Sequence, residues 1–190
     1  SWPLWLVPEA APGPKVLVHG SLKEDLAKDL FPGAPCLGDG DPQAGEVVAA
    51  ARFDDRLVAI LERGGNVLLL PDGEKDSLPL TAHWFLRGAP YVPGGLPQDQ
   101  VPRNLLVELQ HFDLAGDVIY EPMYLEDTEP FLLLWDTHDL KAVKTHGLAF
   151  WTGAAKGRLL VSTLRHGGPT NSAGRWLLGA FLGKLISREG

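Results

Sequence analysis

The sequence predicts a three-layer α/β domain with a mostly parallel central sheet and added antiparallel strands in its second half. Short apolar runs alternate with helix-length segments up to Gly73, which is typical of parallel strands joined by helices. Beyond residue 103, apolar runs follow one another without long helices between them, so antiparallel pairing is expected there. An amphipathic segment near the end predicts a final helix.

Residues 53–73 form the clearest helix–strand unit. Apolar residues at i, i+4, i+7 and i+8 predict one buried helix face, and Gly64-Gly65 can end the helix. The apolar run at residues 66–70 is typical of a strand buried on both faces. The turn Pro71-Asp72-Gly73 closes this strand. The helix face consists of Phe53, Leu57, Ile60 and Leu61.

The remaining elements follow from the same patterns in chain order. Ahead of this unit we expect strands at residues 4–7, 16–18, 34–37 and 47–48, and a helix at 22–30 with Ser21 as its N-cap. After it we expect a short helix at 105–110, strands at 117–120, 131–135, 147–151 and 158–162, and a helix at 171–187. The inward stripe of that helix is predicted to contain Trp176, Leu177, Ala180, Phe181, Lys184 and Leu185.

Composition suits one globular domain and excludes two classes of partner. At 190 residues and 45% hydrophobic content, the chain can bury a packed core. A formal net charge of -7 and scattered Lys and Arg residues argue against a nucleic-acid partner. No apolar run approaches the roughly 18 residues of a membrane span, so no membrane partner is expected.

Two features of the sequence suggest an excerpt of a larger multidomain protein. The sequence begins at Ser1, and its only methionine is Met123. Strand-like sequence follows almost at once, at residues 4–7. Residues 1–190 are therefore expected to form a single α/β domain with neighbouring domains as partners. The single cysteine, Cys36, excludes an internal disulfide.

Two of the catalytic candidates are Cys36 and Asp72. Cys36 could be a nucleophile, but it follows Ala34-Pro35 rather than a tight strand-to-helix elbow, so a small buried apolar role is preferred. Asp72 could form an acid–base pair with Glu74, or bind a hard cation. An Asp-Gly step at a strand end is primarily turn chemistry, so the turn interpretation is preferred.

Histidines provide two further catalytic candidates and weak evidence for a metal. His19 and His166 both follow predicted strands and could converge at one edge of the sheet. His138 lies between Asp136 and Asp139, but zinc-binding spacing such as HExxH is absent. No Gly-rich dinucleotide or phosphate fingerprint is present either. The sequence therefore predicts no metal and no cofactor.

Aromatic residues supply the only ligand-binding candidates. Residues 75–103 form a long segment rich in Pro and Gly that carries Trp84, Phe85 and Tyr91. Long loops inside compact domains are commonly functional or interfacial. These three rings could form a sugar-stacking platform or an interdomain contact, with packing onto their own sheet as the alternative. Other tryptophans, Trp135, Trp151 and Trp176, are expected in the core.

Four stretches carry a resemblance to a known family: residues 4–8, 16–22, 64–70 and 156–164. Their order resembles the class I glutamine amidotransferase-like fold, which is flavodoxin-like. The resemblance is to the degenerate form carried as an accessory domain by large bacterial glycoside hydrolases, especially family 2-type β-galactosidase-like or sialate-esterase-like proteins. The resemblance covers most of the chain and is weakest at residues 75–130.

The residues that would carry amidotransferase chemistry are incomplete. Working members of the family place a cysteine in a Gly-x-Cys-x-Gly elbow and a His-x-Glu pair after a late strand. Here the strand at 66–70 runs into Pro71 without a cysteine, and His166 is followed by Gly167-Gly168. The resemblance therefore implies a scaffold without amidotransferase activity, and a periplasmic or secreted location in preference to a cytoplasmic one.

The expected function is that of a non-catalytic accessory or interaction module of a larger carbohydrate-active enzyme. Its partners would be neighbouring domains, with weak contact to carbohydrate through Trp84, Phe85 and Tyr91. One alternative is a small hydrolase, amidotransferase-, peptidase- or esterase-like, with Asp72, His19 and His166 gathered at the carboxyl edge of the sheet. Another is a free-standing carbohydrate-binding domain.

Overall fold

A computed structural model describes residues 13–82, 90–91, 114, 116, 118–120, 129–136, 141 and 144–187. These residues form nine strands and three helices. In chain order the elements are β1 (Val16–Val18), α1 (Glu24–Leu30), β2 (Val47–Ala50), α2 (Asp55–Glu62), β3 (Asn66–Leu69), β4 (Leu80–Ala82), β5 (Pro90–Tyr91), β6 (Val118–Tyr120), β7 (Glu129–Asp136), β8 (Lys144–Ala154), β9 (Gly157–Ser162) and α3 (Ser172–Ile186).

One half of the sheet is parallel, as predicted. β1, β2, β3 and β9 lie side by side in that order, and each pairs in parallel with the next. All four residues of β2 are fully buried, as expected of a parallel strand that is covered on both faces. The predicted strand at 66–70 is confirmed as β3.

A short segment around Cys36 extends the parallel half beyond β1. Val18 donates its amide to the Pro35 carbonyl at 2.9 Å and accepts from the Leu37 amide at 2.7 Å. The amide of His19 points the other way, to Ala49 in β2. The chain therefore adds the Cys36 segment on one side of β1 and then β2 on the other. This reversal is compatible with a flavodoxin-like fold, although the predicted strand at 34–37 is only a single bridge.

The helices lie on both faces of the parallel strands and make three layers. Alternate residues of β2 point to opposite faces, so Val47 and Ala49 belong to one core and Val48 and Ala50 to the other. The first core contains buried residues of α1 and α3, including Ala27, Leu177 and Phe181. The second contains Leu57, Ile60 and Leu61 of α2.

The second half adds antiparallel strands through β8. β9 and β7 pair with β8 along its two opposite edges, because both contact the same three residues, Ala149, Phe150 and Trp151. β6 pairs near Gly147, and β4 and β5 pair with β6 and β7. The antiparallel extension predicted for the second half is therefore confirmed.

The helix ends show where local sequence patterns were sufficient to predict how a helix begins or ends. α2 begins after Asp54, whose side chain accepts from the Leu57 amide at 2.9 Å, and it is followed by Gly64 at φ +90, a conformation that favours glycine. α3 begins after Asn171, which accepts from the Gly174 amide at 2.9 Å. The predicted Ser21 cap of α1 is wrong, since Lys23 precedes that helix without a side-chain cap.

Core predictions were partly correct. Trp151 is 8% exposed, and cationic groups of Arg158 and Lys184 lie 5.1 and 4.4 Å from its ring centroid. Trp176 is only half-buried. The side chain of Trp135, the predicted strand at 4–7 and the predicted helix at 105–110 lie outside the described residues.

Within the described part, no helix has both the length and the apolarity to cross a membrane.

Candidate functional site

Polar side chains collect where the parallel strands end. His19 and Ser21 follow β1, Arg52 and Asp54 follow β2, Asp72 follows β3, and Ser162 and His166 lie at the end of β9. Ligands of open α/β sheets bind outside the carboxyl ends of the strands, above all where the strand order reverses. The carboxyl edge, with its reversal between β1 and β2, is therefore the candidate site.

The loop after β1 contains a chain of hydrogen bonds from Ser21 through His19 to Asp54. The Ser21 amide donates to His19 Nδ1 at 3.3 Å, so Nδ1 carries no proton and also accepts from the Ser21 hydroxyl at 2.8 Å. The opposite ring nitrogen, Nε2, then carries the proton and donates to Asp54 Oδ2 at 2.9 Å. By composition this is a Ser–His–Asp arrangement.

The Ser21 hydroxyl is nevertheless committed to the backbone. Its oxygen accepts from the amides of Ala51 at 3.0 Å and Arg52 at 3.2 Å. Those two bonds occupy both acceptor positions of a hydroxyl whose proton is already donated to His19. Since Asp54 also caps α2, the group fastens the loop after β1 to the end of β2 and the start of α2.

Asp72 is held in an ion pair and a turn. Its Oδ2 accepts from Arg52 Nε at 3.0 Å and Nη2 at 2.8 Å, and its Oδ1 accepts from the Glu74 amide at 3.1 Å. Although partial burial opposes ionisation, these hydrogen bonds outweigh it and the pKa of Asp72 lies below its usual value. A paired carboxylate with a lowered pKa is ionised at neutral pH and is therefore a poor proton donor there.

Ser162 and His166 form a second, buried Ser–His pair. His166 Nδ1 lies 3.0 Å from the Gly174 carbonyl, which can only accept, so Nδ1 carries the proton. Nε2 is therefore the acceptor for the Ser162 hydroxyl at 2.8 Å. Both residues are 2% exposed, and burial lowers the pKa of His166 to about 4. The imidazole is thus neutral at pH 7.

A cleft of about 400 Å³ opens beside this buried pair, between α1 and the ends of β3 and β9. Ser162 and His166 both line it, and its other walls are largely apolar, including Leu22, Leu70 and Leu164. Its volume falls in the range of small-molecule sites, about 300–1,000 Å³. The cleft lies on the α1 and α3 face of the sheet, since Leu22, Leu70 and Leu164 belong to that core.

The three residues of the predicted hydrolase set have separate partners. His19 is bonded to Ser21 and Asp54, Asp72 to Arg52 and the Glu74 amide, and His166 to Ser162 and Gly174. No described hydrogen bond joins any two of the three. Within the described residues, no group of three or more His, Cys, Asp or Glu side chains could hold a metal ion.

The structure tests the prediction for Cys36, whereas the side chains of the aromatic candidates lie outside the described residues. Cys36 is exposed, so the buried role expected for it is wrong; it pairs with Val18 on the outer side of β1. Trp84, Phe85 and His138 lie outside the described residues. Tyr91 lies in β5 opposite Leu133, but its side chain is outside the described part.

Three important residues were not identified from sequence: Ser21 as a partner of His19, Arg52 as the partner of Asp72, and Ser162 as the partner of His166. A Ser two residues after a strand-end histidine, and a Ser four residues before one, were the available signals. Both patterns are common by chance. Comparisons with protein-family models, curated proteins and solved structures find no match to the chain.

Proposed function

We propose that this chain is an accessory interaction module of a larger carbohydrate-active enzyme and lacks amidotransferase chemistry. The observation that carries the proposal is the end of β3, where the resembled fold would place its nucleophile elbow. That position is occupied by Leu70-Pro71-Asp72, and Asp72 is bound to Arg52. Both oxygens of this carboxylate already accept hydrogen bonds, from Arg52 and from the Glu74 amide, and the thiolate that amidotransferase chemistry uses is absent from this position.

The polar groups around the strand reversal support the same proposal. Ser21 and Asp54 use their side-chain oxygens on backbone amides, and Ser77 bridges the Asp72 amide and the Ala51 carbonyl at 3.2 and 2.8 Å. Side chains used in this way hold the loops in place. The resemblance described above supplies the carbohydrate-active context, and neighbouring domains are the proposed partners.

Deletion in the full-length protein tests the proposal. Removing residues 13–187 should lower the unfolding temperature of the adjoining catalytic domain, because a packed interface is lost, while the chemistry of that domain persists. The isolated chain should release no ammonia from glutamine. Ammonia release that disappears in Cys36→Ala, or an unchanged unfolding temperature after deletion, would contradict the proposed role.

A further inference from the structure

We propose that Ser162 and His166 form a nucleophile–base pair that accepts a short acyl group from an ester bound in the cleft. The inference is independent of the proposed interaction role, since a module can pack against a neighbouring domain and still contain a reactive serine. It rests on three observations: the hydrogen bond between the two side chains, the fixed orientation of the imidazole, and the adjoining cleft.

The hydrogen bonds place the proton where this chemistry requires it. A serine is activated when a neighbouring base can take its proton and a third group orients that base. The Gly174 carbonyl binds Nδ1–H of His166 at 3.0 Å, so the lone pair on Nε2 faces the Ser162 hydroxyl at 2.8 Å. The imidazole is neutral at pH 7, so Nε2 carries no proton that would block this acceptor role.

Comparison with the Ser21–His19 pair shows why Ser162 is the reactive serine. The Ser21 oxygen already accepts two backbone amides, at 3.0 and 3.2 Å. The Ser162 oxygen accepts one described amide, that of Leu164, at 3.3 Å. A lone pair on Ser162 is therefore available for attack, and Ser162 lines the cleft. The same comparison makes Ser21 a matched control.

The cleft indicates the class of acyl group. Its volume of about 400 Å³ and its apolar walls, Leu22, Leu70 and Leu164, suit a short aliphatic acyl chain. Lys23, Arg165, Asp29 and Asp72 also line it, and the first two are exposed, so the open side is polar and carries charges of both signs. A larger alcohol, such as a hydroxylated one, can extend through that side while the acyl group lies inside.

The step balances with water as the second reactant. Ser162 Oγ forms a bond to the acyl carbon as its proton passes to His166 Nε2, and the ester C–O bond breaks. The leaving alcohol takes the proton from Nε2. Water then repeats the sequence at the acyl-serine, releasing the carboxylic acid and restoring the Ser162 hydroxyl. Since fast turnover also needs oxyanion donors, covalent labelling is the more sensitive measurement.

Labelling with a fluorophosphonate tests the proposal on the intact chain. The Ser162 oxygen displaces fluoride from phosphorus, and the adduct is located by peptide mass spectrometry. We expect a single adduct on Ser162, no labelling in Ser162→Ala, and at least about 100-fold slower labelling in His166→Gln, the usual contribution of a general base. Ser21→Ala should label at the wild-type rate. Release of p-nitrophenol from p-nitrophenyl acetate should follow the same order.

The variants must be separated from misfolded protein. Circular dichroism and thermal unfolding of each variant establish that it is folded at the assay temperature, and wild-type protein preincubated with p-nitrophenyl butyrate should label more slowly. No adduct on folded wild-type protein, or an adduct rate equal in wild type and folded His166→Gln, would overturn the inference. Either failure would leave the proposed interaction role standing.

Discussion

Acidification should destabilise this chain through the buried imidazole of His166. The buried imidazole has a pKa of about 4 in the folded chain, against an ordinary value of 6.5. The unfolded chain therefore binds a proton at a higher pH than the folded chain does. Above pH 6.5 the imidazole is neutral in both the folded and the unfolded chain, and the free energy of unfolding is at its full value. As the pH falls from 6.5 towards 4, only the unfolded chain gains the proton, so the free energy of unfolding falls.

The size of this loss follows from the shift. A difference of about 2.5 pKa units corresponds to about 3 kcal/mol at 1.36 kcal/mol per unit. Asp29, stabilised as an anion by the Gly168 amide and Arg175, and Glu46, stabilised by Lys15 and the Gln43 amide, have pKa values below their ordinary ones. Their protonation therefore acts at lower pH than that of an ordinary carboxyl group, whereas the lowered pKa of His166 makes stability fall between pH 6.5 and 4.5.

Urea unfolding followed by tryptophan fluorescence at pH 7.0, 5.5 and 4.5 measures the effect. In the wild type, the free energy of unfolding should fall across this window by most of the calculated amount. In His166→Gln, which cannot be protonated there, the fall should be smaller than in the wild type. Equal slopes in wild type and His166→Gln would refute the reasoning.

The other predictions concern single contacts. Ser21→Ala leaves two backbone amides without their acceptor and should lower the free energy of unfolding by about 1–3 kcal/mol, measured by urea titration; a loss below 0.5 kcal/mol would mean that water replaces the hydroxyl. Gly157→Ala places a Cβ 2.4 Å from the Gly65 carbonyl oxygen and should cost about 1–3 kcal/mol, whereas Gly153→Ala, where the space is open, is its control. Trp84→Ala should weaken any binding to oligosaccharide by at least about fivefold in calorimetry, since a stacking face is worth about 1 kcal/mol or more; unchanged affinity would remove Trp84 from the glycan contact.

The parallel half of the fold could be predicted from local sequence because its signals are local. A strand covered on both faces must be apolar at successive positions, which residues 66–70 satisfy. α2 has its cap, its apolar face and its terminating glycine within twelve residues of one another. In these segments, propensity, burial and turn chemistry agree, so nothing from the rest of the chain is needed.

The site was less predictable because its contacts join distant residues. Ser21 was expected to cap α1 because it precedes that helix, but its hydroxyl accepts instead from the amides of Ala51 and Arg52. Cys36 was expected to be buried because cysteine usually is, but its place at the outer edge of the sheet leaves it exposed. Which serine forms a hydrogen bond with which histidine depends on the geometry of the turns, and amino-acid composition does not determine that geometry.

The position of β9 beside β3 has a consequence for how the chain folds. The two strands are direct neighbours in the sheet, yet residues 70–156 separate them in sequence. Closing so long a loop costs entropy before any hydrogen bond of that ladder forms, and pairings of this kind slow folding. β1, β2 and β3 can associate first, whereas β9, α3 and the Ser162–His166 pair must join late. During synthesis, the β3 edge therefore stays unpaired until the last fifth of the chain is made, and that interval is when the chain is most exposed to misassociation.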